Sequence, residues 1–268
     1  MKMERIGVGR TAEVYRVDQK TVLKLFYPGI DEEQAKREAD IGRFVQKRCG
    51  FSPRVFDVAF TQNRWGIYQE RIEGENLLEE MEKQPAKSFF AIREMIRLQR
   101  VIHKQEAAEL GGQEKRFLKA VSSCSAMDKG IKKDLMMFIA QNRQTKLCHG
   151  DFHPGNLIRQ ADSKLMVIDW SDAYGGDPLG DIARTRYLLR WAKAFDSQNW
   201  FQKKKEEISR PILAALYEKS IADKQGRQPK NQMIWELLVL LRRQQEGIAS
   251  EKRLLTKRIN FCLKKMAV

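Results

Sequence analysis

No window of eighteen or more uncharged apolar residues occurs in the chain, which excludes an ordinary membrane-spanning helix. The opening Met1-Lys2-Met3-Glu4-Arg5 lacks the apolar run of a secretory signal, so no export is expected. Cysteine is scarce: Cys49, Cys124, Cys148 and Cys262 are scattered, and no two form a CxxC pair. That argues against a disulfide framework and against a zinc site, and makes a reducing cytoplasm the expected compartment. Internal repeats and low-complexity linkers are also missing, so neither a solenoid nor a disordered linker array is expected.

What is present points to a folded globular chain. Its 268 residues suffice for one large domain or for two lobes, and 42% of them are hydrophobic. Fifty basic residues face 35 acidic ones, a formal net charge of +15. Such an excess can aid solubility, steer polyanions such as ATP toward a site, or bind nucleic acid. At long range it repels polycations.

The first third alternates like sheet. Val14–Val17 and Thr21–Phe26 are rich in β-branched and aromatic residues, with Asp18-Gln19-Lys20 as the turn. Asp31 reads as the N-cap of a helix running to about Lys47, stopped by Gly50 and Pro53. Strands around Val55–Phe60 and Gly66–Arg71 follow, joined by a turn at Gln62-Asn63. After Gly74 the helical period dominates, over 76–83, 86–109, 113–120 and 130–143. A short strand-loop-strand stretch spans Cys148 to Trp170, and helices resume from about Asp181. The layout is α+β: a small strand-rich lobe, residues 1–73, then a larger helical lobe, residues 74–268, with a ligand cleft expected between them. The basic tail from Arg242 to Lys265 reads as one amphipathic helix with a solvated basic face.

The sharpest signal is His149-Gly150-Asp151-Phe152-His153-Pro154-Gly155-Asn156. Transfer of a phosphoryl group from ATP needs an aspartate to orient and deprotonate the attacking hydroxyl, and hard oxygen ligands for Mg²⁺ close by. An Asp-x₄-Asn spacing supplies both from one loop. A second carboxylate follows at Asp169, thirteen residues after Asn156, at the end of the apolar run Leu165-Met166-Val167-Ile168.

These motifs resemble those of the aminoglycoside phosphotransferase and choline kinase group of the protein-kinase-like superfamily. His149–Asn156 is similar to that group's catalytic loop, and Ile168-Asp169-Trp170 to its metal-binding acid. Gly176-Asp177-Pro178-Leu179-Gly180-Asp181-Ile182-Ala183 resembles the segment opening its next helix. The likeness covers residues 4 to about 190.

The resemblance implies a protein-kinase-like, two-lobed fold and a set of roles. Asp151 is the catalytic base. Asn156 and Asp169 hold Mg²⁺. Lys24, paired with Glu38, aligns the α- and β-phosphates of ATP. Gly7, Gly9, Arg10 and Thr11 belong to a phosphate-covering loop whose third glycine is replaced by Ala12. The Glu70 carbonyl and the Ile72 amide meet the adenine edge, with GTP kept as an alternative. His149 and Asp181 support the catalytic loop. His103 and His153 are read as structural, and the tryptophans as core more than as ligand cages. Asp172 either touches substrate or braces the loop.

The expected reaction is transfer of the γ-phosphate to a hydroxyl of a small molecule such as a sugar or amino alcohol. Two alternatives stand beside it. One is a protein kinase, disfavoured by the missing APE-like segment and the short span from Asp169 to Asp181. The other is a non-catalytic kinase-fold module docking on nucleic acid or a membrane surface. The basic C-terminal region makes a polycationic aminoglycoside a poor acceptor. Oligomeric state is not legible in the sequence.

Overall fold

Alternation of apolar and polar residues over Glu4–Glu70 builds a five-stranded antiparallel sheet, ordered β1-β2-β3-β5-β4. The strands are β1 (Glu4–Val8), β2 (Ala12–Arg16), β3 (Thr21–Phe26), β4 (Val55–Thr61) and β5 (Arg64–Glu70). Gln62 and Asn63 turn β4 into β5 with φ of 51° and 57°, the left-handed pair that a two-residue hairpin requires. Between β3 and β4 lies α1 (Glu32–Cys49). Asp31 accepts the Gln34 N–H while the Gln34 side chain accepts the Asp31 N–H, a reciprocal cap that fixes where the helix begins. Gly50, at φ 65°, ends it. The small buried residues Ala35 and Ala39 let α1 pack with Ala12, Phe26 and Ile67 in one apolar cluster.

The computed structural model describes residues 3–125, 127–192, 200–222 and 229–266. Contacts group the chain into two units. One comprises residues 1–87 with 154–172, the other residues 88–153 with 173–268. The first gains its C-terminal piece because β6 (Glu75–Asn76) pairs with β8 (Leu157–Arg159), which pairs with β9 (Leu165–Val167). At the entry to β6, Gly74 has φ 146°, and a Cβ there would sit 2.0 Å from the Arg159 carbonyl oxygen. Only glycine fits this approach. Asn76 then caps the short α2 (Leu77–Lys83).

The second unit is helical: α3 (Ser88–Ile102), α4 (Gln113–Ser123), α5 (Lys129–Gln141), α6 (Pro178–Trp191), α7 (Trp200–Ala222), α8 (Pro229–Gln245) and α9 (Lys252–Met266). A core of Phe117, Leu135, Tyr187, Trp235, Leu238, Leu255 and Ile259 joins α4, α5, α6, α8 and α9. A two-stranded ladder, β7 (Lys146–Cys148) with β10 (Tyr174–Gly176), crosses this unit.

Two expectations from periodicity are corrected. The helix expected over 86–109 starts at Ser88 and stops at Ile102. Past it, the Leu147 N–H bonds the Gln105 carbonyl and the Ala107 N–H bonds the Thr145 carbonyl, so strand-like pairing replaces the helical ladder. The tail is two helices rather than one, broken at Gly247 with φ 69°. Arg243 in that tail is buried, not on a solvated face. Among the described residues, no helix is long and apolar enough to cross a membrane.

Candidate active site

Lys24 sits at the centre of β3, opposite Val14 on one side and Ile67 on the other. An ammonium among apolar strands must be paired. Its Nζ lies 2.7 Å from Glu38 Oε1 and 2.9 Å from Asp169 Oδ1, although Asp169 is 145 positions away. Glu38 stands one residue before the buried Ala39, on the face of α1 turned to the sheet. Burial would lower the Lys24 pKa, but Asp169 and Glu38 outweigh it and hold the value above that of an ordinary lysine. The amine is therefore an ammonium at neutral pH.

Asn156 and Asp169 flank the β8–β9 hairpin. Leu157 pairs with Val167, and the Ile168 N–H donates to the Asn156 carbonyl at 2.9 Å. Register thus brings the two residues to the same open end of one hairpin. Asp169 holds φ at 58°, a left-handed conformation that aspartate tolerates better than most residues. Its side chain is 42% exposed, and Oδ1 also accepts from Ser171 Oγ at 3.0 Å. A carboxylate and an amide oxygen are hard donors of the kind Mg²⁺ takes, so this pair fits the ion.

The β1–β2 hairpin carries Gly7, Gly9, Arg10 and Thr11. The Gly9 N–H donates to Ala12, and the Thr11 carbonyl accepts from Tyr27. Gly9, Arg10 and Thr11 are exposed. Glu13 pins the hairpin's base: it accepts Arg5 of β1 at 2.8 Å, Arg64 of β5 at 3.0 Å and the Tyr15 hydroxyl at 3.0 Å. Glu70 closes β5, where its N–H donates to Arg54 and the next N–H, of Arg71, donates to Lys20. Ile72 lies in the connector to β6, one position on.

In the second unit, β7 delivers His149, Gly150 and Asp151. Gly150 has φ 80°. Its N–H donates to Asp181 Oδ1 at 2.8 Å, and its carbonyl accepts Arg184 Nε at 3.1 Å. Asp181 and Arg184, one turn apart on α6, thus hold the Gly150 residue by its N–H and its carbonyl. Asp181 is wholly buried; its Oδ2 accepts His103 Nε2 at 2.8 Å and Gln99 Nε2 at 3.1 Å. Burial would raise its pKa, but His103 and the Gly150 N–H outweigh that and hold it below the usual carboxylate range. Cys148 Sγ lies within 4.8 Å of the His103 and Asp181 ligand atoms. Both Asp181 oxygens already accept hydrogen bonds, so this cluster reads as a brace rather than a metal centre. Buried His149 accepts the Asp151 N–H at Nδ1, 3.2 Å, and stacks edge-on against Phe152.

The Asp151 carboxylate has a basic side chain on either side. His153 Nε2 is 3.6 Å from Oδ2 and Arg184 Nη2 is 3.6 Å from Oδ1. These are ion-pair distances, too long for hydrogen bonds. Burial pushes the carboxyl up, yet His153, then Arg184 and His149, outweigh it and keep Asp151 ionised well below the ordinary range. The chain passes from this unit to the first at His153-Pro154, two residues beyond Asp151.

Comparison with known proteins now decides the family. Residues 2–207 match the sequence model of the phosphotransferase enzyme family. The chain belongs to that family. Among curated proteins, no sequence matches it. Solved structures share the family's kinase-like fold. An apo thermostable mutant of aminoglycoside phosphotransferase APH(4)-Ia aligns over 100% of this chain and 95% of its own, at 16% identity and TM-score 0.66. A choline/ethanolamine kinase family protein from Mesorhizobium loti aligns over 100% and 89%, at 14% identity and TM-score 0.59. A streptomycin–ATP ternary complex of APH(2")-IIa aligns over 98% and 91%, at 18% identity and TM-score 0.54. At these identities the likeness establishes the α+β kinase-like fold of the family member described here.

Sequence reading missed Arg184, Gln99 and Glu246, whose Oε1 lies 2.9 Å from Arg184 Nη2. Gln99 reads as one polar position in a helical run, yet it is 2% exposed and holds Asp181. The available signal for Arg184 was its place one helical turn after Asp181. Trp170 and Trp235 are buried; Trp170 donates to the Val167 carbonyl, and Trp235 packs on Phe117 and Phe138.

Proposed function

We propose that this member of the family transfers the γ-phosphoryl group of ATP to a hydroxyl of a small molecule. The observation that carries the reading is Lys24, largely buried and held by Glu38 and Asp169 at the open end of the Asn156-bearing hairpin. Asp151 orients the acceptor hydroxyl and takes its proton. As the acceptor oxygen bonds the γ-phosphorus, the bond from that phosphorus to the β,γ-bridging oxygen breaks, and ADP leaves. Lys24 aligns the α- and β-phosphates. Backbone N–H groups of Gly7–Thr11 cover them, and the Glu70 carbonyl and Ile72 amide meet the adenine edge. Asn156 and Asp169 would hold Mg²⁺, whose charge, when bound, neutralises phosphate oxygens. His149 and Asp181 keep the loop that presents Asp151 in shape. Catalysis on this reading is mostly positioning and charge neutralisation.

The acceptor is read as something other than a polycation. The net charge of +15 repels polycations, and the C-terminal helices add no acidic cluster to oppose it. Hygromycin B and streptomycin are ligands of the related structures, not evidence for this chain.

The test is ADP release from MgATP over a panel of sugars, amino alcohols and nucleosides, with Asp151→Asn as control. An acceptor-stimulated rate that Asp151→Asn abolishes supports the reading. Stimulated release that survives in Asp151→Asn at the parental rate overturns it.

A further inference from the structure

Helix α3 turns large apolar side chains toward solvent. It buries Ala91, Ile92, Met95, Ile96, Gln99 and Ile102, which leaves Phe90, Arg93, Arg97 and Val101 along the opposite face. Phe90 is 65% exposed, Val101 42% and Phe89 39%. The two phenylalanines meet edge to face, ring centres 5.8 Å apart, and the Arg93 guanidinium lies 5.5 Å from the centre of the Phe89 ring. Single exposed apolar side chains are ordinary on a protein surface. An aromatic pair in mutual contact, with a further apolar side chain on the same helix face, is a patch.

Cations run along that face too. Arg93, Arg97, Arg100 and Lys104 follow one another at spacings of four, three and four residues, down the helix and into the turn after it. Among the described residues, Arg97, Arg100 and Lys104 have no carboxylate partner. Glu94 is the one acid within α3.

A partner for this face must bury apolar side chains and neutralise cations together. An anionic bilayer does both, since rings enter at the headgroup level while guanidinium and ammonium groups meet lipid phosphates. A nucleic acid answers the cations but gives Val101 no apolar surface. Helix α9 makes the contrast within the molecule. It carries six cations and no acid, yet its one exposed large apolar side chain among the described residues is Phe261. Charge alone therefore does not single out α3; the coincidence of charge with exposed apolar side chains does.

We propose that the outer face of α3 docks the protein on an anionic lipid bilayer, with the helix axis along the surface. Phe89, Phe90 and Val101 enter the interface, and Arg93, Arg97, Arg100 and Lys104 meet lipid phosphates. The attachment is peripheral, on one face of one helix. It stands on that face alone and is independent of the phosphotransfer reading.

Co-sedimentation of the full chain with vesicles tests this. The vesicles are phosphatidylcholine alone, or phosphatidylcholine with about one-third phosphatidylglycerol, in about 0.1 M salt. Binding to the anionic vesicles should be at least about tenfold tighter than to the neutral ones. Phe89→Gln/Phe90→Gln leaves the charge unchanged and should weaken anionic binding at least about tenfold, with the melting temperature within about 2 °C of the parent. Arg97→Gln/Lys104→Gln should weaken it at least about fivefold, whereas Lys257→Gln/Lys264→Gln, which removes the same charge from α9, should stay within about twofold. Should the phenylalanine pair variant fail to fold, Phe90→Gln alone replaces it, with a loss of at least about threefold expected. No binding to anionic vesicles, or equal binding to neutral ones, overturns the proposal. So does a folded phenylalanine variant that binds like the parent, or equal losses from the α3 and α9 charge variants. A chain that ignores both vesicles but holds duplex RNA in the same salt overturns it in favour of a nucleic-acid partner.

Discussion

Asp181 Oδ1 accepts the Gly150 N–H at 2.8 Å across 31 positions of chain, with Asp181 fully buried on α6. Gly150 precedes Asp151, so this bond, with the Arg184 bond to the Gly150 carbonyl and the Asp151 N–H bond to His149, sets the direction in which the Asp151 side chain leaves the backbone. Replacing Asp181 by alanine leaves the Gly150 N–H, His103 and Gln99 without their shared acceptor. Removing one partner of a buried charged network typically costs about 3–5 kcal/mol. Asp181→Ala is therefore expected to melt well below wild type. Asp181→Asn keeps one acceptor oxygen for Gly150 and should lose about 1–3 kcal/mol. Thermal unfolding of both variants checks the ranking; equal losses would show that the Gly150 bond contributes nothing.

Acid stability follows from the same residue. The folded pKa of Asp181 lies below its unfolded value, because His103 and the Gly150 N–H outweigh burial. Below about pH 4, the unfolded chain takes up the proton first. The contribution of Asp181 is thus complete above about pH 4 and is lost as pH falls toward the folded value. Asp151 carries the same sign, through His153 and Arg184. Unfolding measured from pH 6 to pH 2.5 should show stability falling with acid below about pH 4. Asp181→Asn should flatten that limb; an unchanged slope would remove Asp181 as its source.

Gly175 offers a purely steric prediction. It lies in β10 opposite Leu147, and an added Cβ would stand 2.3 Å from the Ala107 carbonyl oxygen. That oxygen is backbone and cannot swing aside as a side chain would. Overpacking of this kind costs about 1–3 kcal/mol or more. Gly175→Ala should unfold earlier in denaturant with an unchanged slope, whereas Gly112→Ala, at φ −90° with no atom nearer than 3.7 Å to an added Cβ, should lose less. Equal midpoints for the two variants would contradict the close approach.

Much of this was legible beforehand, and the residues show why. Asp31, Gln62-Asn63 and Gly50 carry local signals, since a cap or a turn depends on neighbours in sequence. The α+β layout was readable because the strand period changes to the helical period after Gly74, and its kinase-like form was what the resemblance of His149–Asn156 and Ile168–Trp170 implied. His149–Asn156 and Asp169 stood out because their spacing is local too. Arg184, Gln99 and Glu246 were not legible. Their roles come from partners 34, 82 and 62 positions away (184 − 150, 181 − 99, 246 − 184), and no periodicity records which buried polar residues will meet. The tail misled for a related reason. Arg243 looks like one more solvent-facing cation until Glu251 folds back on it across Gly247.

The last prediction concerns Lys24 and Asp169. Nζ and Oδ1 are 2.9 Å apart. On the proposed reading, Lys24 turns to phosphate and Asp169 to Mg²⁺ when MgATP binds. Nucleotide at 100 times its dissociation constant should stabilise the protein by about 2.7 kcal/mol. In Asp169→Ala the shift with MgATP should vanish, because the carboxylate that would hold the ion is gone. In Lys24→Met it should shrink without vanishing, since the Mg²⁺ ligands remain. Lys24→Met also leaves Glu38 buried beside a methyl group, so its baseline melting should drop even without nucleotide. Differential scanning fluorimetry with ATP, MgATP, MgGTP and Mg²⁺ alone reads all of these at once. A MgATP shift of wild-type size in Asp169→Ala would remove Asp169 from the metal site. A shift with ATP equal to that with MgATP would place nucleotide binding on the ammonium and the Gly7–Thr11 loop alone.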